Sequence, residues 1–420
     1  MNKLVGWSLL LLFLMFPCIA NAEKPADEGV KVAFERDGYL WTKIDGREQR
    51  ITDKPSKYAY PPQWSHDGKL IAYLKEMVEP NAHSQDQYDI WVYNTETKKR
   101  DKIFSGGSNP KWSPTQNVLA FKSGGVLNVS DLNQFNNVAL GVDDYNWFPD
   151  GKSFIASGAA SLMPDGWTNP ILYRITLPED LKNIKSLTDN VKRLFVIPGE
   201  VAKGSVSVPA INASNFEFST DGNWISFIVC PTASWSMDSN MICAISADGE
   251  QFEVIDEMIF EIGNPQWAPS KNLLAYIAGG GRIVMGFKNK DLKITEFPAF
   301  KSLTLTPPGF AEMGFTWIDD RSFIVSRVKE TEWSNDPAQH PKKSLYYTSL
   351  DKMQKRLTDP PGFADDVDPE YIPSIKKVAW IRRTGGKTDL WRSEIDGRKA
   401  EIWIRNIGVY SFFPEKCGRD

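Results

Sequence analysis

Eight times between Trp64 and Phe413 an aromatic residue stands just before a short polar turn, and this recurrence limits the fold more than any other feature of the chain. The anchors are Trp64, Trp112, Trp147, Phe218, Trp267, Trp317, Tyr371 and Phe413. Hydrophobic runs follow most of them, including Leu70-Ile71-Ala72-Tyr73, Val118-Leu119-Ala120-Phe121, Trp224-Ile225-Ser226-Phe227, Leu273-Leu274-Ala275-Tyr276 and Val378-Ala379-Trp380-Ile381. A unit that returns every ~35 to 70 residues defines a repeat architecture, and runs of strand length make the expected class all-β, a single β-propeller. No helix-period stretch of useful length competes with this pattern.

Each repeat reads as four strands, a to d, with the anchor closing strand a. Strand c carries its own signature in Tyr39-Leu40-Trp41, Asp89-Ile90-Trp91-Val92-Tyr93, Ile171-Leu172-Tyr173, Leu345-Tyr346-Tyr347 and Asp389-Leu390-Trp391. Asp-Gly pairs mark tight a-b turns (Asp67-Gly68, Asp150-Gly151, Asp221-Gly222) and c-d turns (Asp45-Gly46, Asp248-Gly249, Asp396-Gly397), where positive φ is favoured. Residues 31–53 supply strands b, c and d with no strand a, and residues 409–414 resemble a strand a with nothing after it. The economical expectation is that the C-terminal strand joins the N-terminal blade and closes the ring, removing two sheet edges. Counting the shared blade once gives eight blades over residues 30–418, with seven as the alternative count.

Ahead of the repeats, Lys3, the apolar stretch from Trp7 to Ile19, and the small-x-small site Ala20-Asn21-Ala22 read as a cleaved signal peptide over residues 1–22. This run is shorter than the about 20 apolar residues a membrane helix needs. Cys18 follows Phe16-Pro17 and so lacks the small residue of a lipoprotein signal. The expected location is therefore periplasmic or extracellular, with no membrane span after cleavage. A formal net charge of −4 lacks the basic footprint that nucleic acid demands. Cys230 ends one expected strand and Cys243 lies in the next, a placement compatible with a cross-strand disulfide in an oxidising compartment or with two buried thiols.

The run Trp64-Ser65-His66-Asp67-Gly68-Lys69-Leu70-Ile71-Ala72-Tyr73, followed by Asp89-Ile90-Trp91-Val92-Tyr93, resembles the WD40-like (PD40) repeat of TolB-type propellers. The resemblance covers residues 30 to 418 and implies an architecture rather than a function. The chain departs from TolB in lacking the α/β domain that precedes its propeller and in exceeding its six blades, so TolB's partners do not carry over.

The chemistry-bearing residues are few. No Gly-x-Ser-x-Gly elbow occurs, which argues against a serine-hydrolase site. The only histidines are His66, His83 and His340, and His66 falls in an a-b turn, so a three-histidine metal site is not expected. In a propeller the b-c and d-a loops share one face, and several b-c loops here are long: residues 76–88, 161–169, 231–240 and 329–343. Three of them carry tryptophans outside the repeat, Trp167, Trp235 and Trp333, beside acids or amides such as Asp238 and Asp336. Each tryptophan either covers its own loop or serves a ligand, because exposed aromatics stack on sugars or anchor proteins. Two d-a loops repeat Pro-Pro-Gly-Phe-Ala (307–311 and 360–364), with Phe310 and Phe363 expected to tuck inward.

The resulting expectation is an exported, non-catalytic, monomeric scaffold without cofactor or metal. It presents Trp167, Trp235, Trp333, Asp238, Asp336 and His340 to an extracytoplasmic protein, peptide or glycan. The rival is an enzyme acting on polysaccharide or peptidoglycan, with carboxylates such as Asp336, Asp365 and Asp366 as acid and base.

Overall fold

The computed structural model describes residues 27–77, 88–181, 186–259, 262–281 and 286–414. The expected leader with Cys18, the loop histidine His83 and residues 415–418 of the expected propeller span lie outside them. The regular secondary structure of the described residues is almost wholly strand. They form six four-stranded antiparallel sheets and one eight-stranded sheet. The large sheet divides where a single residue pair, Met258 with Ala278, joins its halves. Numbered by chain order, the four-stranded units have their strands b at Lys31–Arg36 (sheet 1), Leu70–Glu76 (2), Leu119–Ser123 (3), Ser153–Gly158 (4), Trp224–Cys230 (5), Leu273–Ala278 (6), Ser322–Lys329 (7) and Lys377–Thr384 (8).

The strand burial follows from composition. Trp224–Cys230 is buried at every position, because neighbouring sheets cover both of its faces and only continuous apolar side chains satisfy that setting. Outer strands such as Arg47–Arg50 and Gln354–Arg356 are exposed at every position and rich in charge, which blunts an edge that would otherwise pair with another chain. In the Asp-Gly turns, Ser65 Oγ donates to Asp67 Oδ1 at 2.6 Å while accepting from Leu70 N at 2.9 Å. Ser219, Asp221 and Trp224 repeat that arrangement at the same distances. Gly68 and Gly222 take φ of +65° and +74°, which a Cβ would strain.

The anchors link neighbouring sheets through their indoles. Each N–H donates to a carbonyl on strand a of the sheet before it: Trp112 to Gln63 (2.9 Å), Trp147 to Lys111 (3.0 Å), Trp317 to Gln266 (3.1 Å) and Trp267 to Glu217 (3.2 Å). Phe218 has no N–H to give. At that junction the bond runs the other way, from Asn146 Nδ2 of sheet 4 to the Phe216 carbonyl at 2.6 Å.

The first and last strands meet. Tyr410–Phe412 pairs antiparallel with Lys31–Arg36, Val32 opposite Phe412 and Phe34 opposite Tyr410. The ties on both sides of this pair match those elsewhere: Trp64 Nε1 donates to the Ser411 carbonyl at 3.3 Å, and Trp403 of sheet 8 stacks on Phe412 with ring centroids 5.7 Å apart.

Several expectations need correction. Of the two readings open for Cys230 and Cys243, the structure has the free buried thiols and not the disulfide. Cys243 lies opposite Phe227, so Cys230, three positions further on, points to the other side of the sheet, and the two side chains belong to different core clusters. Asp365 and Asp366, the carboxylates of the enzyme reading, open strand a of sheet 8 (Asp365–Ile372). Phe363 does not tuck inward but stands 87% exposed, whereas Phe310 is half-buried at the start of its strand. An additional hairpin, Glu200–Lys203 with Val206–Pro209, lies between sheets 4 and 5, and its Val201 and Val208 join the core.

At the junction of sheets 8 and 1, burial pushes the Glu370 carboxyl up to about 7. Burial also raises the Asp368 carboxyl, against Arg383 and Lys343, and raises the Tyr410 hydroxyl, aided by the charges of Glu370 and Asp368. Two outcomes are expected. Deleting residues 409 onward lowers the melting temperature by several degrees or more, read by calorimetry, because it strips the ring contacts of Trp64 and Trp403 together with the strand pairing. Glu370 holds a proton in the folded chain that the unfolded chain releases above its ordinary value of 4.5. Its contribution is therefore complete below that value and lost as pH rises through about 7. Replacing it (Glu370→Gln) flattens the fall in melting temperature over that window; an unchanged slope contradicts the assignment.

Candidate functional site

The face formed by b-c and d-a loops carries a pocket of about 690 Å³ between sheets 4 and 5. Four segments build it. The d-a loop before sheet 4 contributes Asp143 and Asp144, the b-c loop of sheet 4 contributes Trp167, the start of sheet 5 contributes Asn212, Ser214 and Asn215, and the b-c loop of sheet 5 contributes Thr232 and Ser236.

Asp144 is the best-held of these groups. Its Oδ1 accepts from Asn109 Nδ2 of sheet 3 at 2.9 Å, its Oδ2 accepts from the Asn215 backbone N–H of sheet 5 at 2.9 Å, and its own N–H donates to Ser157 Oγ of sheet 4 at 3.1 Å. One residue thus ties three sheets, its carboxylate bridging sheets 3 and 5 and its backbone N–H reaching sheet 4. Asn109 and Asn215 both sit at β-bulges in strand a with φ of +48° and +56°, a conformation that asparagine tolerates better than most residues. Burial raises the neighbouring Asp143 carboxyl, with Lys122 opposing and Asp144 reinforcing the shift. Beneath the pocket, the Cys230 thiol is pushed up to about 11 by burial, so it is an inert wall rather than a nucleophile.

Trp167 projects from a small hairpin, Leu162–Met163 with Gly166–Trp167, that the long b-c loop folds into. The side chain is 47% exposed. Gly166 adopts φ of +127°, and the Thr168 Oγ1 acceptor and Ser161 N–H close the hairpin base at 2.8 Å. Trp235 rides a short helix, Ala233–Ser236, and is equally exposed beside the pocket wall that Ser236 forms. Ser236 in turn is fixed by Asn240, whose Oδ1 accepts from Ser236 Oγ at 2.7 Å.

The other expected residues are elsewhere. Trp333 stacks on Phe287 (5.9 Å) and contacts the His340 ring (4.8 Å), while His340 Nε2 bonds the Ser334 carbonyl at 2.7 Å, a small satellite core over sheet 7. Asp336 accepts from Ala338 N–H at 3.0 Å as the cap of the turn Pro337–Gln339. Asp238 holds Gly281 N–H through its carbonyl at 2.7 Å. Of the six residues singled out, only Trp167 lines the sheet 4–5 pocket, and Trp235 stands next to its Ser236 wall. His340 instead lines a second pocket on the same face, with Lys342, Phe363 and Asp365.

The carboxylates of the enzyme reading are committed. Asp366 is fully buried in a bidentate pair with Arg382 at 2.6 and 2.7 Å, and Asp365 pairs with Lys343 at 2.9 Å. Among the described residues no three histidine, cysteine, aspartate or glutamate side chains converge as metal ligands. Sequence inspection overlooked Asp143, Asp144, Asn212 and Asn215. The adjacent acids just before the Trp147 anchor were the available signal; the asparagines carried none without the bulges.

No protein-family model matches this chain, and no curated protein matches it in sequence. Solved structures similar to it include a eukaryotic initiation factor (TM-score 0.56, 13% identity, covering 92% of this chain and 88% of that one). A second is the dihydro-heme d1 dehydrogenase NirN (TM-score 0.56, 12% identity, 92% and 75%). A third is TolB from Acinetobacter baumannii (TM-score 0.38, 14% identity, 93% and 68%). No described helix is long and apolar enough to cross a membrane. At such identities the likeness to the first two establishes the fold alone, and with the sheet topology that fold is an all-β propeller of four-stranded sheets.

Proposed function

We propose that this protein is an exported, non-catalytic propeller that recognises an extracytoplasmic glycan at the pocket between sheets 4 and 5. The observation that carries the reading is the convergence of an exposed tryptophan, Trp167, with the carboxylate of Asp144, which bridges sheets 3 and 5, and the amides Asn212 and Asn215 in one recess. An aromatic face stacks on the C–H face of a sugar ring, while fixed carboxylate and amide groups bond its hydroxyls. Among the ligand classes left open by sequence, a flat protein partner fits less well, because Trp333 is drawn away into its own stack with Phe287.

A binding role also suits the charge arrangement. Both oxygens of Asp144 already accept hydrogen bonds, and Asp365 and Asp366 are held in ion pairs. The leader-like residues 1–22 support export, and propeller loops accept such sites because the sheets beneath stay rigid.

The test is binding of the chain from Glu23 onward to immobilised envelope glycans and peptidoglycan fragments. Saturable binding to at least one glycan is expected, with Trp167→Ala weakening it roughly tenfold or more at unchanged melting temperature. Binding that survives the substitution sinks the site. Release of new reducing ends by the unaltered protein sinks the non-catalytic reading.

A further inference from the structure

The opposite face, made by a-b and c-d turns, holds an independent cavity of about 500 Å³ between sheets 7 and 8. Its walls are apolar: Tyr347 and Leu357 of sheet 7 and Ile395 of sheet 8, all packed on the buried Trp380 cluster, with Met353 63% exposed at the mouth. Its rim is cationic. Lys376 stands exposed there, and neither an ion pair nor a side-chain hydrogen bond engages its ammonium among the described residues, while Lys355 and Arg398 flank it.

The rim acids are already compensated. Asp396 Oδ2 accepts from Arg398 Nε at 2.6 Å, and Glu394 pairs with Lys399 at 3.5 Å. Once these pairs are set aside, the Lys376 ammonium remains the uncompensated charge at the opening among the described residues, and beside it the Lys355 ammonium donates to the Asp396 carbonyl at 3.3 Å.

This cavity is not a generic gap between sheets. At the corresponding junction of sheets 4 and 5, the c-d turn glycine Gly249 closes on Leu194 just as Gly397 closes on Leu357. There, however, Phe195 and Phe252 stack at 4.9 Å beside the turn. After Gly397 the chain has Arg398, Lys399 and Ala400 instead, and no ring fills the space. The a-b turn of sheet 8 also abandons the Asp-Gly pair for Pro373–Ile375, which brings Lys376 to the rim in a left-handed conformation with φ of +50°.

The geometry points to a binding site for a free single-chain amphiphile with an anionic head, such as a fatty acid, its chain against Tyr347, Met353, Leu357 and Ile395 and its carboxylate at Lys376 and Lys355. A recess of this size and lining falls in the range of small-molecule sites. It is too small for the paired chains of a phospholipid, which sets the source as the free acid. The site lies on the other face from the glycan pocket and does not depend on it.

The experiment is titration calorimetry of the chain from Glu23 onward with decanoate below its micelle concentration. Expected are saturable one-site binding, a roughly threefold to fourfold gain for decanoate over nonanoate, and clear weakening in the double variant Lys355→Gln, Lys376→Gln. The exposed Met353→Asp variant, checked for an unchanged melting temperature, loses binding. Absence of saturation at millimolar decanoate overturns the proposal, as does decylammonium binding as tightly as decanoate. Retained binding in Met353→Asp places the ligand elsewhere and overturns it too, and capture by phosphatidylglycerol vesicles without decanoate binding replaces the free acid with a lipid surface.

Discussion

A single hydrogen bond, repeated at the five junctions whose anchor is a tryptophan, sets the relation of one sheet to the next there: an anchor indole N–H reaches back to a strand a carbonyl of its predecessor. Sheets in a propeller share no backbone ladder with their neighbours, so dispersion between side chains gives adhesion but little register. The indole supplies both in one group. Its ring fills the wedge between sheets while its N–H selects one carbonyl, and each bond contributes on the order of 1 kcal/mol besides the apolar burial. The turns on the a-b side add a parallel set of ties. Asn117 Nδ2 donates to Asp67 of the previous sheet at 2.9 Å, and Asn272 Nδ2 to Asp221 at 2.6 Å.

This explains how much of the fold was legible in the sequence. The anchors, the Asp-Gly turns and the alternating runs are local signals that agree with one another, and each maps onto a strand or turn in the structure. The pairing of residues 410–412 with residues 31–36 was readable too, since it follows from a missing strand at one end and a spare one at the other. What stayed hidden was decided by tertiary contacts. Phe363 followed the same Pro-Pro-Gly-Phe-Ala motif as Phe310, yet one ring is covered by Arg327 and the other by nothing. The hairpin at residues 200–209 carries no repeat signature, and its valines are explained only by the core they enter.

The candidate site was legible only in outline. Long loops on one face identified Trp167 and Trp235, but the polar half of the pocket comes from d-a segments and strand a bulges that look like ordinary repeat residues. Trp333 shows the converse: the same loop position and composition yielded a ring stacked on Phe287 and His340. An off-pattern aromatic marks a place where the repeat is interrupted. Whether it faces a ligand or its own loop depends on neighbours that sequence does not bring near it.

The pairing of the first strands with residues 410–412 also bears on synthesis. Arg36 bonds the carbonyl of Arg405 across a separation of 369 residues, so the earliest sheet cannot acquire its innermost strand until nearly all the later sheets have been made. Loop closure over such a distance is slow relative to local hairpin formation. During that interval Lys31–Arg36 presents an unpaired edge of largely buried type, Val32-Ala33-Phe34. A chain translocated in an extended state gathers all its strands on the far side before it folds, which shortens the exposure of that edge, whereas a chain folding vectorially on the ribosome prolongs it.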